Sequence, residues 1–99
     1  MTTGHPEPVR AAEVDAVLRQ VLAPSVLAVR DDSAAHAGHA GAREGSHLHV
    51  AIVSPRFTGL GRLARHRLVY DALRDLIPRG IHALAIEART PAEAASGPF

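Results

Sequence analysis

The 99-residue sequence predicts an α+β fold of order α-β-β-α-α-β, a single three-stranded sheet covered by helices. Three observations carry that expectation. Apolar residues recur at helical spacing near the N-terminus. A two-residue alternation runs through the middle of the chain. A second helical stripe is then closed by Pro78 and Gly80, directly ahead of another alternating run.

Residues 1–7 read as a loose tail, and a domain is expected over 8–92, with 93–99 as a second tail. From Pro8 to Ala23, Val14, Val17, Leu18, Val21 and Leu22 fall on one face of a helix, and Pro24 stops it. Ser25–Arg30 is a short strand candidate. Ser46–Ser54 is a stronger one, with Leu48, Val50 and Ile52 on one face and His47, His49, Ala51 and Val53 on the other. Between them lies DDSAAHAGHAGAREG, residues 31–45, a small and polar stretch without periodicity. A connection of that length inside a small domain is expected to be functional or mobile.

After a turn at Phe57 and Gly59, a short helical piece leads into a helix expected over Leu63–Ile77. Its inner face would carry His66, Val69, Tyr70, Leu73, Leu76 and Ile77. Ile81–Ala88 is the third strand, alternating Ile81, Ala83 and Ala85 against His82, Leu84 and Ile86. Thr90 and Pro91 suit an N-cap and first helical position, so one more helical turn is expected there.

Composition narrows the function classes. Phe57, Tyr70 and Phe99 are the only aromatics, so the base-stacking platform of RNA-binding sheets is absent. Without cysteine no disulfide forms, and a metal centre would need His, carboxylates or a partner's ligands. No apolar run is long enough to span a bilayer, and the N-terminus shows no basic stretch followed by an apolar one. A cytoplasmic location is the expectation. A net charge of +1 does not by itself argue for nucleic acid. No base-oriented nucleophile, carboxylate pair or phosphate-binding Gly-Lys loop is visible, so an enzyme is not expected.

Seven histidines are the chemically distinctive residues. His36 and His39 sit in the 31–45 stretch, where solvated loop imidazoles are the plain reading and H-x-x-H alone is a weak metal signal. His82 heads a strand, and His66 suits a packed imidazole holding its helix against the sheet. His47 and His49 share a strand face and would need a third group to hold zinc.

Read together, DDS followed by His36, the strand SHLHVAIVS, F-x-G-L from Phe57, RHRLVYDAL from Arg65 and GIHALAIEARTP from Gly80 resemble the BolA family over roughly residues 9–92. The resemblance implies a fold similar to type II KH domains. The turn that corresponds to the KH nucleic-acid grip reads Gly59-Leu60-Gly61-Arg62 and lacks the G-x-x-G spacing, so KH-type RNA binding is not expected.

The resemblance further implies pairing with a monothiol glutaredoxin and a shared [2Fe-2S] cluster, in iron-sulfur trafficking and iron regulation. The family's cluster-facing positions fall on His36 and His82, with His39 as an alternative loop ligand, and the partner would supply a cysteine and a glutathione thiol. Metal contact is thus expected at His36, His39 and His82 only in the complex, the isolated chain being a monomer or weak homodimer. Two imidazoles in place of two thiolates raise a cluster's potential and make its binding depend on pH. The family also implies an alternative, a DNA-binding transcriptional regulator. In that reading Arg62, Arg65, Arg67 and Arg74, around His66, would contact phosphates. Asp71 and Asp75 lie close enough in sequence to neutralise part of that set.

Overall fold

A computed structural model describes residues 9–32 and 46–96, the side chains of Ser46 and His82 excepted. The chain runs as helix α1 (Ala11–Leu22), strands β1 (Val26–Asp31) and β2 (Ser46–Val53), and a 3-10 turn at Pro55–Phe57. Helix α2 (Arg62–Ala72), the single turn α3 (Ile77–Gly80), strand β3 (Ile81–Arg89) and helix α4 (Pro91–Ala95) complete it. The expected α+β order is present. The three strands form one sheet in the order β1-β2-β3, β1 antiparallel and β3 parallel to the central β2.

The apolar patterns explain the packing. Val14, Leu18 and Leu22 are the buried positions of α1, four residues apart, and they meet Leu48, Val50 and Ile52 of β2. Phe57, Val69, Leu73 and Leu76 complete that core, with Val9 sealing its edge. Val21 lies at the rim of the stripe and is exposed. Among the described residues helices cover one face; on the other, Val26, Ala28, Ala83 and Ala85 are exposed, as one face of a small mixed sheet can be.

Helix ends follow local chemistry. Glu13 accepts the Arg10 backbone N–H at 3.2 Å and bridges to Arg79 at 3.2 Å, tying the start of α1 to α3. Ala23, at φ 44°, closes α1 in the left-handed conformation ahead of Pro24. At α4, Thr90 accepts the Glu93 N–H at 3.2 Å while the Glu93 carboxylate accepts the Thr90 N–H at 2.9 Å, a reciprocal cap at the N-cap position expected from the sequence.

Three expectations are corrected. The helix expected to reach Ile77 stops at Ala72. The Leu73 N–H is shared between the Val69 and Tyr70 carbonyls, each at 3.1 Å, which tightens the last turn. Beyond it the Arg74 and Leu76 N–H groups bond three residues back, to Asp71 and Leu73, and Pro78 has no N–H to bond back to Arg74, so helix resumes only as the separate turn α3. Tyr70 is 41% exposed instead of facing the core, because Val69 and Leu73 already fill the buried stripe of α2.

The alternation of β3 also breaks. Ser46 pairs with Ile81, but His47 pairs with Ala83, so His82 is an extra residue in the ladder. Ile81 is therefore buried, whereas Ala83 and Ala85 are exposed and Leu84 and Ile86 turn inward.

Candidate functional site

The sheet end at His82 also holds His47, one strand away in the ladder. Gly80, at φ 148°, turns the chain from α3 into β3 with a backbone conformation that L side chains rarely adopt. The bulge at His82 follows two residues later, and bulges re-aim a side chain where a regular strand would fix it. At the same end, Asp31 pairs with Leu48, and the Asp32 N–H donates to the His47 carbonyl at 2.7 Å. Ser46 pairs with Ile81. The chain thus leaves the sheet at Asp32 and rejoins it at Ser46 on either side of His47, one strand from His82. His36 and His39 belong to the stretch between those two anchors and lie outside the described residues, as does the side chain of His82.

His47 and His49 are half-buried on the open face of β2. The partner of His49 comes from β3: Nε2 is 3.4 Å from Glu87 Oε1, and the imidazole is 19% exposed against 50% for the carboxylate. No local motif announces this pair, because it depends on the β2–β3 register. Among the described residues, no three His, Asp or Glu side chains stand together as a metal site.

The arginines of α2 separate into two kinds. Arg65 is committed within the chain: Nε donates to the Leu60 carbonyl at 2.8 Å, and Nη1 donates to the Ala88 carbonyl at 3.2 Å. Nη1 and Nη2 also reach Glu93 Oε1 and Oε2 at 2.6 and 3.1 Å, a two-pronged pair across α4. The Arg65 hydrogen bonds first, and the Thr90 N–H second, hold the Glu93 carboxyl well below the usual range, at about 2. Arg65 itself is raised, chiefly by its hydrogen bond to Glu93. Arg62, Arg67 and Arg74 are exposed. Among the described residues no ion pair joins them to Asp71 or Asp75. His66, half-buried, stands with Arg62 and Arg65 at a cleft of about 490 Å³ between α2 and β3.

Ser54 carries no catalytic arrangement. It is fully buried; its hydroxyl donates to the Leu22 carbonyl at 2.6 Å and accepts the Arg56 N–H at 3.1 Å. One side chain thereby closes the C-terminus of α1 and opens the 3-10 turn.

Comparison with known proteins follows this geometry. The pattern of the BolA-like protein family matches residues 18–93. BolA-like protein 1 of Mus musculus is 49% identical over 86 residues, which cover 87% of this chain and 61% of that protein. The chain thus spans about three-fifths of that relative's length. SufE-like protein 1, chloroplastic/mitochondrial, of Arabidopsis thaliana is 42% identical over 85% of this chain and 24% of its own. The solved BolA domain of SufE1 from Arabidopsis thaliana superposes with a TM-score of 0.75 at 45% identity, covering 85% of this chain and 94% of that domain. These names include organellar proteins. Among the described residues no helix is long and apolar enough to cross a membrane. By sequence pattern, by identity across most of its length and by fold, the chain belongs to the BolA-like protein family.

Proposed function

We propose that this protein is a non-catalytic adaptor that docks on a monothiol glutaredoxin and shares a [2Fe-2S] cluster with it, in iron-sulfur trafficking. His82 and a second imidazole, His36 or alternatively His39, would be its ligands. The partner would provide a cysteine and a glutathione thiol.

The observation that supports this reading most directly is the bulge at His82 beside the two anchors of the 33–45 stretch. A regular strand would have assigned His82 to one face of the sheet. His82 instead stands as an extra residue in the ladder, at the sheet end where the described chain breaks off before His36 and His39 and resumes after them. The donor chemistry fits as well. A chain without cysteine cannot complete a four-thiolate site, so its imidazoles need a partner's sulfur ligands. Bound there, the cluster would supply a one-electron centre of raised potential. Protonation of either imidazole would release that ligand, so transfer would be favoured by acid.

The test is a titration of the apo chain into a monothiol glutaredoxin carrying a glutathione-ligated [2Fe-2S] cluster, followed by visible circular dichroism. A change that saturates at one-to-one stoichiometry, and that His82→Ala alters while the apo domain keeps its far-ultraviolet spectrum, supports the adaptor. An unchanged spectrum sinks it and leaves duplex binding by Arg62, Arg67 and Arg74 as the reading to pursue.

A further inference from the structure

The outer edge of β3 is an unfinished sheet. β2 is central, so among the described residues β3 has a strand on one side only. Backbone hydrogen bonds give the parity of the other side. The Ser54 N–H donates to the Arg89 carbonyl at 3.0 Å, so Arg89, Glu87 and Ala85 point their backbone groups toward β2. Ala88, Ile86 and Leu84 point theirs outward. The Ala88 carbonyl is taken by the Arg65 guanidinium. Among the described residues nothing bonds the outward N–H or C=O of Leu84 or Ile86.

An open edge is a template for strand addition, and native chains commonly blunt it with proline, a charge or a further bulge. Between Ala83 and Ala88 the outward-pointing positions carry none of these: they are Leu84 and Ile86, both half-buried aliphatics. Where the edge approaches Arg65, it opens into the 490 Å³ cleft, with Leu60 and Ile86 as its apolar lining.

We infer that this edge is a peptide-docking groove: an extended segment adds to β3 as a fourth strand, pairing with Leu84 and Ile86, and seats an acidic residue against Arg62 and His66. The occupant follows from charge. Glu93 neutralises Arg65 and Glu87 faces His49, whereas Arg62 has no ion-pair partner among the described residues. The cleft is lined by Arg62, Arg65 and Arg89 against Glu87 and Glu93, which leaves one net positive charge beside the His66 imidazole. A second copy of this chain, added edge to edge, would set that same charge against itself. Single-stranded nucleic acid would find no aromatic among the lining residues on which to stack a base. A strand with an acidic side chain satisfies both the unpaired backbone and the cation. The groove involves neither the cluster nor its ligands and stands independently of the adaptor reading.

The experiment pans a displayed library of short random peptides against the immobilised apo chain. Amide hydrogen exchange and nitrogen-15 NMR shifts are then recorded with the enriched peptides. The expected consensus alternates β-branched residues and carries an Asp or Glu. Its binding slows exchange at Leu84 and Ile86 and shifts Arg62 and His66. Arg62→Glu, at an exposed position, weakens binding by about tenfold or more. Ile86→Pro removes an outward donor without removing a β2–β3 hydrogen bond and abolishes binding. Four outcomes overturn the inference. No acidic extended consensus emerges, or the shifts map to the α1–α2 face. Leu84 and Ile86 become protected with rising protein concentration alone, which assigns the edge to a second copy. Or an oligothymidylate shifts the same amides at least as tightly as the peptides do, which assigns it to nucleic acid.

Discussion

Replacing Arg65 with methionine keeps the aliphatic stem and removes the guanidinium, which isolates what that group does. The structure assigns it two backbone carbonyls, Leu60 at 2.8 Å and Ala88 at 3.2 Å, from a side chain only 15% exposed. Each such hydrogen bond is worth about 1 kcal/mol net, and the pair to half-exposed Glu93 adds little. Arg65→Met should therefore cost about 2 kcal/mol. With an m-value of about 1 to 2 kcal/mol/M, the urea midpoint falls by roughly 1 to 2 M. The acid limb gives a second reading. Glu93 has a folded-state pKa below its unfolded value of 4.5, so the stability it contributes is complete above that value. It is lost as the pH falls through the window toward 2. In the variant the Glu93 carboxyl should titrate higher, toward its ordinary range, in a carboxyl-detected NMR titration. An unchanged midpoint together with an unmoved Glu93 titration would refute the clamp. If duplex binding also fell in that variant, Arg65 would instead be a phosphate contact.

Other residues make separate predictions. Ser54→Ala leaves the buried Leu22 carbonyl without its donor and removes the cap of the 3-10 turn, so urea denaturation should show a loss of about 2 kcal/mol; a loss below about 0.5 kcal/mol would contradict that role. Leu18→Ala opens the centre of the α1–β2 core and should cost about 3 kcal/mol in the same assay, with the fold retained. Ala23→Gly relieves a left-handed alanine at the end of α1 and should raise the melting temperature, by about 0.5 to 1 kcal/mol of stability; a lowered melting temperature would show that chain entropy outweighs the strain. His82→Ala should disturb the shared cluster far more than His49→Ala, whose imidazole faces Glu87 on the open sheet face; equal effects in visible circular dichroism would detach the ligand role from the bulge.

Legibility in the sequence followed the range of the interaction. The α1 stripe, the β2 alternation and the Thr90 N-cap are local patterns, and the structure reproduces them because their physics acts within a few residues. The end of α2 was harder to read: the apolar spacing continues through Leu73 and Leu76, whereas the backbone tightens to three-residue bonds at Leu73, Arg74 and Leu76. The bulge at His82 has no signature in GIHALAIEA, since it arises from the register between two strands far apart in sequence. The Arg65–Glu93 clamp and the His49–Glu87 pair join residues 28 and 38 positions apart, and only tertiary packing brings them together. An arginine inside RHRLVYDAL reads as a surface charge until Leu60, Ala88 and Glu93 are seen around it. The placement of His82 at the head of a strand was legible; the irregularity that distinguishes its position was not.

Imidazole ligation of the shared cluster is the centre of the account, and pulsed electron paramagnetic resonance addresses it without mutation. This chain would carry nitrogen-15 histidine, while glutaredoxin and glutathione remain at natural abundance, and the [2Fe-2S] cluster of the complex would be reduced before measurement. The account predicts strong nitrogen-15 couplings from two directly bound imidazoles. A spectrum free of strong nitrogen-15 coupling would mean that the partner's thiolates hold the cluster without this chain, and would contradict the account.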